Sequence, residues 1–246
     1  SLVANVLDAE GKRNEAIQYY DSSLAFNPYN FYTWFNKGIV LYNSDKKDDA
    51  LQCFQKAVTI NPYHASSHYF LGAVYTEQGR LSQAILCFVT SLLINPENRY
   101  INKCVNYLSA ISKVTDEING FVSQAAAYSD DNFELQQEIL LSKAALDEKY
   151  KLLADVDDPI VRQLQVLLEK LEYDATDKGF CMQYYVPFYE GVFKRGEFNS
   201  FINYIFSGLD IKSVKGYNDK HKKEIGVVTD SAISYLNLIR RTELLK

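Results

Sequence analysis

An all-α solenoid of stacked helical hairpins is the fold this sequence predicts, and three observations predict it. The dipeptides Asn27-Pro28, Asn61-Pro62 and Asn95-Pro96 stand 34 residues apart each time, a period that belongs to arrays of helical hairpins. Each proline lacks an amide donor and drives the residue before it out of the helical region, so the period is one of helix ends. Aligned on those ends, small residues recur at Ala4, Gly38 and Gly72, at Ala16, Ala50 and Ala84, and at Ser23, Ala57 and Ser91, while an aromatic recurs at Tyr20, Phe54 and Phe88. Small residues there let two helices approach closely, and the aromatic fills the space beside the contact.

Residues 31–64 and 65–98 are then complete units, and residues 1–30 most of a third. One unit carries Trp34, Gly38, Ala50, Phe54, Ala57 and Pro62, and the next carries Leu71, Gly72, Tyr75, Gly79, Ala84, Phe88 and Pro96. These residues resemble the tetratricopeptide repeat, which implies a right-handed superhelix of hairpins over residues 1–98. His68 stands where the family prefers Trp, a departure expected to weaken one aromatic contact. The resemblance also implies that the first helices of successive repeats line a concave groove. Its positions fall on Tyr32, Phe35, Ile39 and Tyr42 and on Ser66, Tyr69, Ala73 and Thr76, bordered by Tyr29 and Tyr63. Tyrosines offer flat contact area and a hydroxyl at low entropic cost, which suits an extended or helical peptide with apolar side chains. The competing reading of these residues is packing against neighbouring helices, or simple surface tyrosine. Some relatives clamp a C-terminal carboxylate; Asn36 fits one clamp position, but Ser66 and Phe70 replace the Lys and Arg, which disfavours that ligand.

Beyond Asn98 the signature fades. Helices are expected from Arg99 to Val114 and from Asp116 to Tyr128, as a degenerate repeat or capping pair over residues 99–130, with Asn102, Asn106 and Ile118 where a good repeat has its aromatic, Gly and Ala. Residues 131–246 are expected to form an all-helical region of further hairpins packed on the repeats. Leu135, Ile139, Leu146 and Leu153 recur at helical spacing from Asn132 to Ala154, and Val161, Leu164, Leu168 and Leu171 from Pro159 to Tyr173. Between them Asp158 suits a helix cap and Pro159 a first helical position. Fewer than four clean heptads favour an antiparallel hairpin over a coiled coil.

From Gly179 to Leu209 the chain is at its most aromatic, with Phe180, Tyr184 and Phe188 on one stripe and Tyr185, Tyr189 and Phe193 on the next. Such stripes read as core rather than as a peptide-binding surface. Pro187 is expected to bend or begin a helix, and Gly196 to turn a further hairpin.

Composition excludes several function classes. The 246 residues are 47% hydrophobic and 23% charged with a net charge of −5, which describes an ordinary globular chain. Starting at Ser1, without Met and part-way through a repeat, the chain is expected to be a piece of a longer protein. Leu81 to Pro96 carries no charge but is too short to span a bilayer, so it reads as a buried second helix and no membrane span is expected. Cys53, Cys87, Cys104 and Cys181 form no ligand motif. Cys53 and Cys87 sit at equal repeat positions, about 8 to 10 Å apart by helix packing and too far for a bridge, which points to reduced thiols and a cytoplasmic location.

His64 and His68 lack the glutamate of a zinc protease, His221 stands among lysines, and no nucleotide loop or nucleophile elbow occurs. No enzyme, cofactor or metal site is expected. Fifteen acidic residues face five basic ones over residues 116–177, whereas residues 211–246 hold eight basic and four acidic. Lys212, Lys215, Lys220, Lys222 and Lys223 raise nucleic acid or an anionic membrane as partner, but Asp219, Glu224 and the scarcity of Arg favour a solvated helix face. The leading expectation is a non-catalytic scaffold that binds another protein or a peptide in the concave groove. Its rival is self-association through the aromatic C-terminal helices.

Overall fold

In the computed structural model, which describes residues 2–124 and 132–244, each Asn-Pro dipeptide ends a helix by the same device. The amides of Asn27, Asn61 and Asn95 close the last turn on Ser23, Ala57 and Ser91. Their Oδ1 atoms accept from the amides of Tyr29, Tyr63 and Glu97 at 3.2, 3.2 and 3.0 Å. Proline stops the helix, and the Asn side chain replaces the helical bond with an Asx turn. That turn gives the asparagine, and not only the proline, a reason to recur.

The helices so delimited are α1 (Leu2–Ala9), α2 (Arg13–Phe26), α3 (Phe31–Tyr42), α4 (Lys47–Ile60), α5 (Ala65–Glu77) and α6 (Leu81–Ile94). They pair as hairpins α1 with α2, α3 with α4 and α5 with α6, and α2 meets α3 as α4 meets α5, which makes the solenoid. Inside a hairpin the approach is close enough to need glycine: a Cβ on Gly38 would lie 2.7 Å from the Phe54 ring, and one on Gly72 2.8 Å from the Phe88 ring. The hairpin turns share a left-handed residue, at Gly11, Asp45 and Gly79 with φ of 77°, 58° and 72°.

Helices α7 (Ile101–Lys113) and α8 (Asp116–Gln124) follow, separated at Val114 by a left-handed residue. Helix α7 packs on α6, whereas α8 packs on α5. The expected end of the second helix, at Tyr128, lies outside the described residues.

The predicted helix from Asn132 to Ala154 is broken. Helix α9 (Glu134–Ser142) ends at Lys143, whose φ is 57°, and only a 3₁₀ turn at Ala144–Leu146 continues it. The cause is tertiary: α10 (Pro159–Glu169) supplies Arg162, whose Nη1 donates to the carbonyls of Ala145, Asp147 and Tyr150 at 3.4, 3.1 and 3.3 Å. Gln165 takes the amide of Leu153 and the carbonyl of Lys151. Backbone groups that a helix would use are thus satisfied sideways, and Leu135 and Leu153, read as one apolar face with Ile139 and Leu146, stay about half exposed. The start of α10 follows the sequence, with Asp158 accepting from the amide of Ile160 and Pro159 in the first turn.

The remaining helices are α11 (Phe180–Tyr184), α12 (Val186–Lys194), α13 (Phe198–Ile205), α14 (Lys212–Lys220) and α15 (Lys222–Leu244). Pro187 begins α12, and Gly196, with φ of 70°, turns α12 into α13. The aromatic stripes are core: Tyr184, Tyr185, Phe188 and Tyr189 are buried. They bury themselves against the second helices of the repeats, where Tyr184 donates to the carbonyl of Val58 at 2.9 Å and Tyr189 meets Thr90 Oγ1 at 2.6 Å. Helix α15 lies on α4, and both α9 and α13 lie on α6. Every residue of α6 from Leu81 to Leu93 is buried as a result, and Gln137 of α9 accepts from its first amide at 3.0 Å.

His68 joins the two regions. Trp34 donates its indole N–H to the carbonyl of Pro28 at 2.8 Å, and His68, one repeat later, places Nε2 3.0 Å from the carbonyl of Pro62. That oxygen only accepts, so Nε2 carries the proton and Nδ1 accepts from the Tyr185 hydroxyl at 2.8 Å. The departure from the family's Trp therefore keeps the Trp's hydrogen bond and adds a second one to a residue 117 positions away. Complete burial pushes the pKa of His68 down to about 3.

A histidine held neutral binds fewer protons folded than unfolded, so its stabilisation is complete above the unfolded pKa of about 6.5 and falls as the pH drops below it. Between pH 7.5 and 5 this contributes a loss of about 2 kcal/mol. Urea titrations at the two pH values should show that loss shrink by about this amount in His68→Gln. In the same assay Gly38→Ala and Gly72→Ala should each cost about 1–3 kcal/mol by overpacking. Gly226→Ala in α15, where a Cβ meets nothing within 4 Å, should be neutral or stabilising.

Candidate functional site

Of the positions expected to line a concave groove, Tyr32 on α3 is exposed, Phe35, Ile39 and Tyr42 are buried or half-buried, and those on α5 are covered. Tyr32 is 58% exposed and Tyr29 51%. Tyr32 packs on Phe31 with ring centroids 4.0 Å apart. Beneath it the His64 imidazole meets Phe31, Tyr32 and Phe35 edge-on at 5.1, 5.7 and 4.7 Å. Burial first, and Arg99 second, push the His64 pKa down to about 4, so at neutral pH it is an uncharged part of this aromatic patch. Its Nδ1 lies 2.7 Å from Ser67 Oγ. Spacing alone gave His64 no role, because its aromatic neighbours come from α3, two helices back.

Phe35 is buried among His64, Phe54 and Phe70. Ile39 is half-buried against the core. The Tyr42 hydroxyl donates to Glu77 Oε1, and Lys47 Nζ closes on the other carboxylate oxygen at 3.0 Å. Burial, with Glu77 adding to it, raises the Tyr42 pKa far above the usual phenol range, so this hydroxyl stays protonated.

On α5 the equivalent residues offer a partner little surface. Tyr69 is buried, stacked on Tyr100 of the loop into α7 at 4.3 Å and 6°, with Tyr107 of α7 at 6.3 Å. Ala73 and Thr76 are buried where α8 packs on α5, Ile118 of α8 is buried too, and Ser66 is half-buried. The chain's own α7 and α8 thus cover the expected groove positions Tyr69 and Ala73. Tyr63 does not join this face at all: its hydroxyl donates to the carbonyl of Ile233 in α15 at 3.1 Å.

The repeat-structural residues meet as their positions require: Ala50, Ala57 and Ala84 are fully buried with Phe54 and Phe88, Pro62 is buried, and Trp34 and Pro96 are half-buried. All four cysteines are buried, and burial raises the thiols of Cys53 and Cys104 to about 11 and about 12. Among the described residues no group of three or more His, Cys, Asp or Glu side chains is placed to hold a metal ion, and no helix is long and apolar enough to cross a membrane. The five lysines from Lys212 to Lys223 are exposed.

The exposed and the covered position predict opposite costs. Tyr69→Ala should destabilise the chain by about 3–5 kcal/mol, while Tyr32→Ala should change stability by less than about 0.5 kcal/mol, both read from chemical denaturation midpoints.

Comparison with known families bears on residues 31–98. A family model described as tetratricopeptide repeat matches residues 31–64, and a second of the same description matches residues 65–98. No match was found among curated proteins.

Proposed function

We propose that this chain, a tetratricopeptide-repeat protein by residues 31–98, is a non-catalytic scaffold that binds a segment of another protein along its concave face at Tyr32. Such repeats are in general protein–protein interaction modules. The observation that carries the finer reading is the exposed ring of Tyr32 on α3, packed on Phe31 and His64 and left uncovered by α7 and α8. Tyr32 supplies a flat amphipathic anchor, Phe31 and His64 support it from below, and Ile39 extends the apolar track along α3. Asn36 Nδ2, 3.3 Å from Asn5 Oδ1, lends the same stretch a polar edge. A bound segment fits this reading as an extended strand or short helix that sets one apolar side chain beside Tyr32.

In this reading residues 1–130 are the repeat part, and residues 131–246 are its helical cover. The rival of self-association through the aromatic C-terminal helices loses support, because Tyr184, Tyr185, Phe188 and Tyr189 are spent on the core. A basic nucleic-acid or membrane contact gains none, because the exposed lysines stay interleaved with Asp219 and Glu224.

Affinity capture from native lysate tests the proposal. The double variant Tyr32→Ala, Ile39→Ser should lose partners that the intact chain retains while its thermal melt stays within a few degrees. Retention of every partner by a folded double variant would overturn the concave-face reading.

A further inference from the structure

The aromatic surface at Tyr32 continues to the start of α7, where its chemistry changes. Two periods of 34 residues carry the positions of Tyr32 and Phe35 to Tyr100 and Lys103. Rings join the two ends. His64 touches Tyr32 and Phe35, Phe35 meets Phe70 at 5.7 Å, and Phe70 meets Tyr100 edge-on at 5.6 Å. Tyr32 is exposed, and His64, Phe70 and Tyr100 are half-buried, so each of these four keeps accessible surface.

At the α7 end two cations share one ring. The Arg99 guanidinium lies 4.8 Å from the Tyr100 centroid, and Lys103 Nζ lies 5.8 Å from it. Both residues are exposed, and among the described residues neither forms an ion pair or a side-chain hydrogen bond. The ring attracts both cations but has no net charge, so it neutralises neither. Glu97 before α7 and Asp116 and Glu117 after it pair with neither, and Glu77 is taken up by Tyr42 and Lys47. Arg99 also helps to keep the His64 imidazole uncharged, which puts its own charge within reach of the ring that supports Tyr32.

We propose that this face takes an acidic segment of another protein, with an apolar side chain beside Tyr32 and an Asp or Glu side chain between Arg99 and Lys103. The inference rests on the concave-face reading and adds what that reading leaves open, the charge of the partner. Charge complementarity carries it. Two unneutralised cations side by side repel each other and any Lys or Arg of a partner, whereas one carboxylate relieves both and suits the two-pronged guanidinium. The carboxylate belongs to a side chain, because Ser66 and Phe70 fill the places where a clamp for a C-terminus has its Lys and Arg. A charge contact at an exposed rim selects among partners more than it tightens any one of them.

Random peptides displayed as internal segments, with no free C-terminus, are the probe. Those retained by the full chain should hold an excess of Asp and Glu near an apolar residue, and amidated synthetic copies should bind more weakly as salt rises. The double variant Arg99→Glu, Lys103→Glu should weaken those copies by about tenfold or more, and its own selection should turn to Lys and Arg. Both side chains are exposed, and far-UV circular dichroism checks the fold. The proposal falls if no peptide is retained, if the retained ones carry no acidic excess, or if the folded double variant keeps the preference. Retained peptides that are lost in Tyr32→Ala yet show no acidic excess would leave the concave face standing and sink this inference alone. Phosphoserine copies that bind where the Glu copies do not would make this a phosphate site, and oligothymidine that binds where no peptide does would make it a nucleic-acid face; either result overturns the proposal.

Discussion

A helix with no charged residue from Leu81 to Ile94 cannot face water, and much of the arrangement around α6 answers that constraint. Stacking on α5 and α7 covers two of its sides, as in any repeat array. The outer side, which most second helices show to solvent, is here as apolar as the inner one and is closed by α9, α13 and Tyr189 of α12. Each fully buried Leu, Ile, Val or Phe contributes about 1.5–3 kcal/mol, so leaving that side open would forfeit a large part of what holds a short stack together. The C-terminal helices are on these grounds the missing half of a core.

The polar bonds across this junction fix how the two halves register. Apolar contact alone tolerates sliding, whereas His68 to Tyr185, Thr90 to Tyr189 and Val58 to Tyr184 each need one placement. His68 serves because an imidazole has two nitrogens on opposite edges, one to donate locally to Pro62 and one to accept from afar. An indole in its place has one N–H and no acceptor. What looks in the sequence like a weakened repeat position is in the fold a hinge pin between two regions.

The repeats were legible because their signals are local. Proline stops and glycine facing an aromatic one helix away depend on neighbours a few tens of residues off, and Asp158, Pro159, Pro187 and Gly196 could be read for the same reason. The readings that failed needed partners far along the chain. The apolar periodicity from Leu135 to Leu153 is real, but Arg162 and Gln165 capture its carbonyls and amides before a helix can use them. The groove positions carry the same ambiguity. Tyr32 and Tyr69 occupy equal places in successive repeats, and only the packing of α7 and α8 buries one and leaves the other open.

Solenoids ordinarily gain and lose whole units freely, because each unit touches only the next. Here one short helix pair grips two successive units at once: Tyr184 holds the unit of Val58, and Tyr185 and Tyr189 hold the unit of His68 and Thr90. A unit duplicated between them would carry Val58 a full repeat away from its partner while the other two stayed in place. The aromatic pair therefore works as a gauge of fixed span, and the number of repeats beneath it is set by geometry. Lengthening by duplication between these two units would break that span, whereas a unit added on the far side of Val58, towards the N-terminus, would leave it intact.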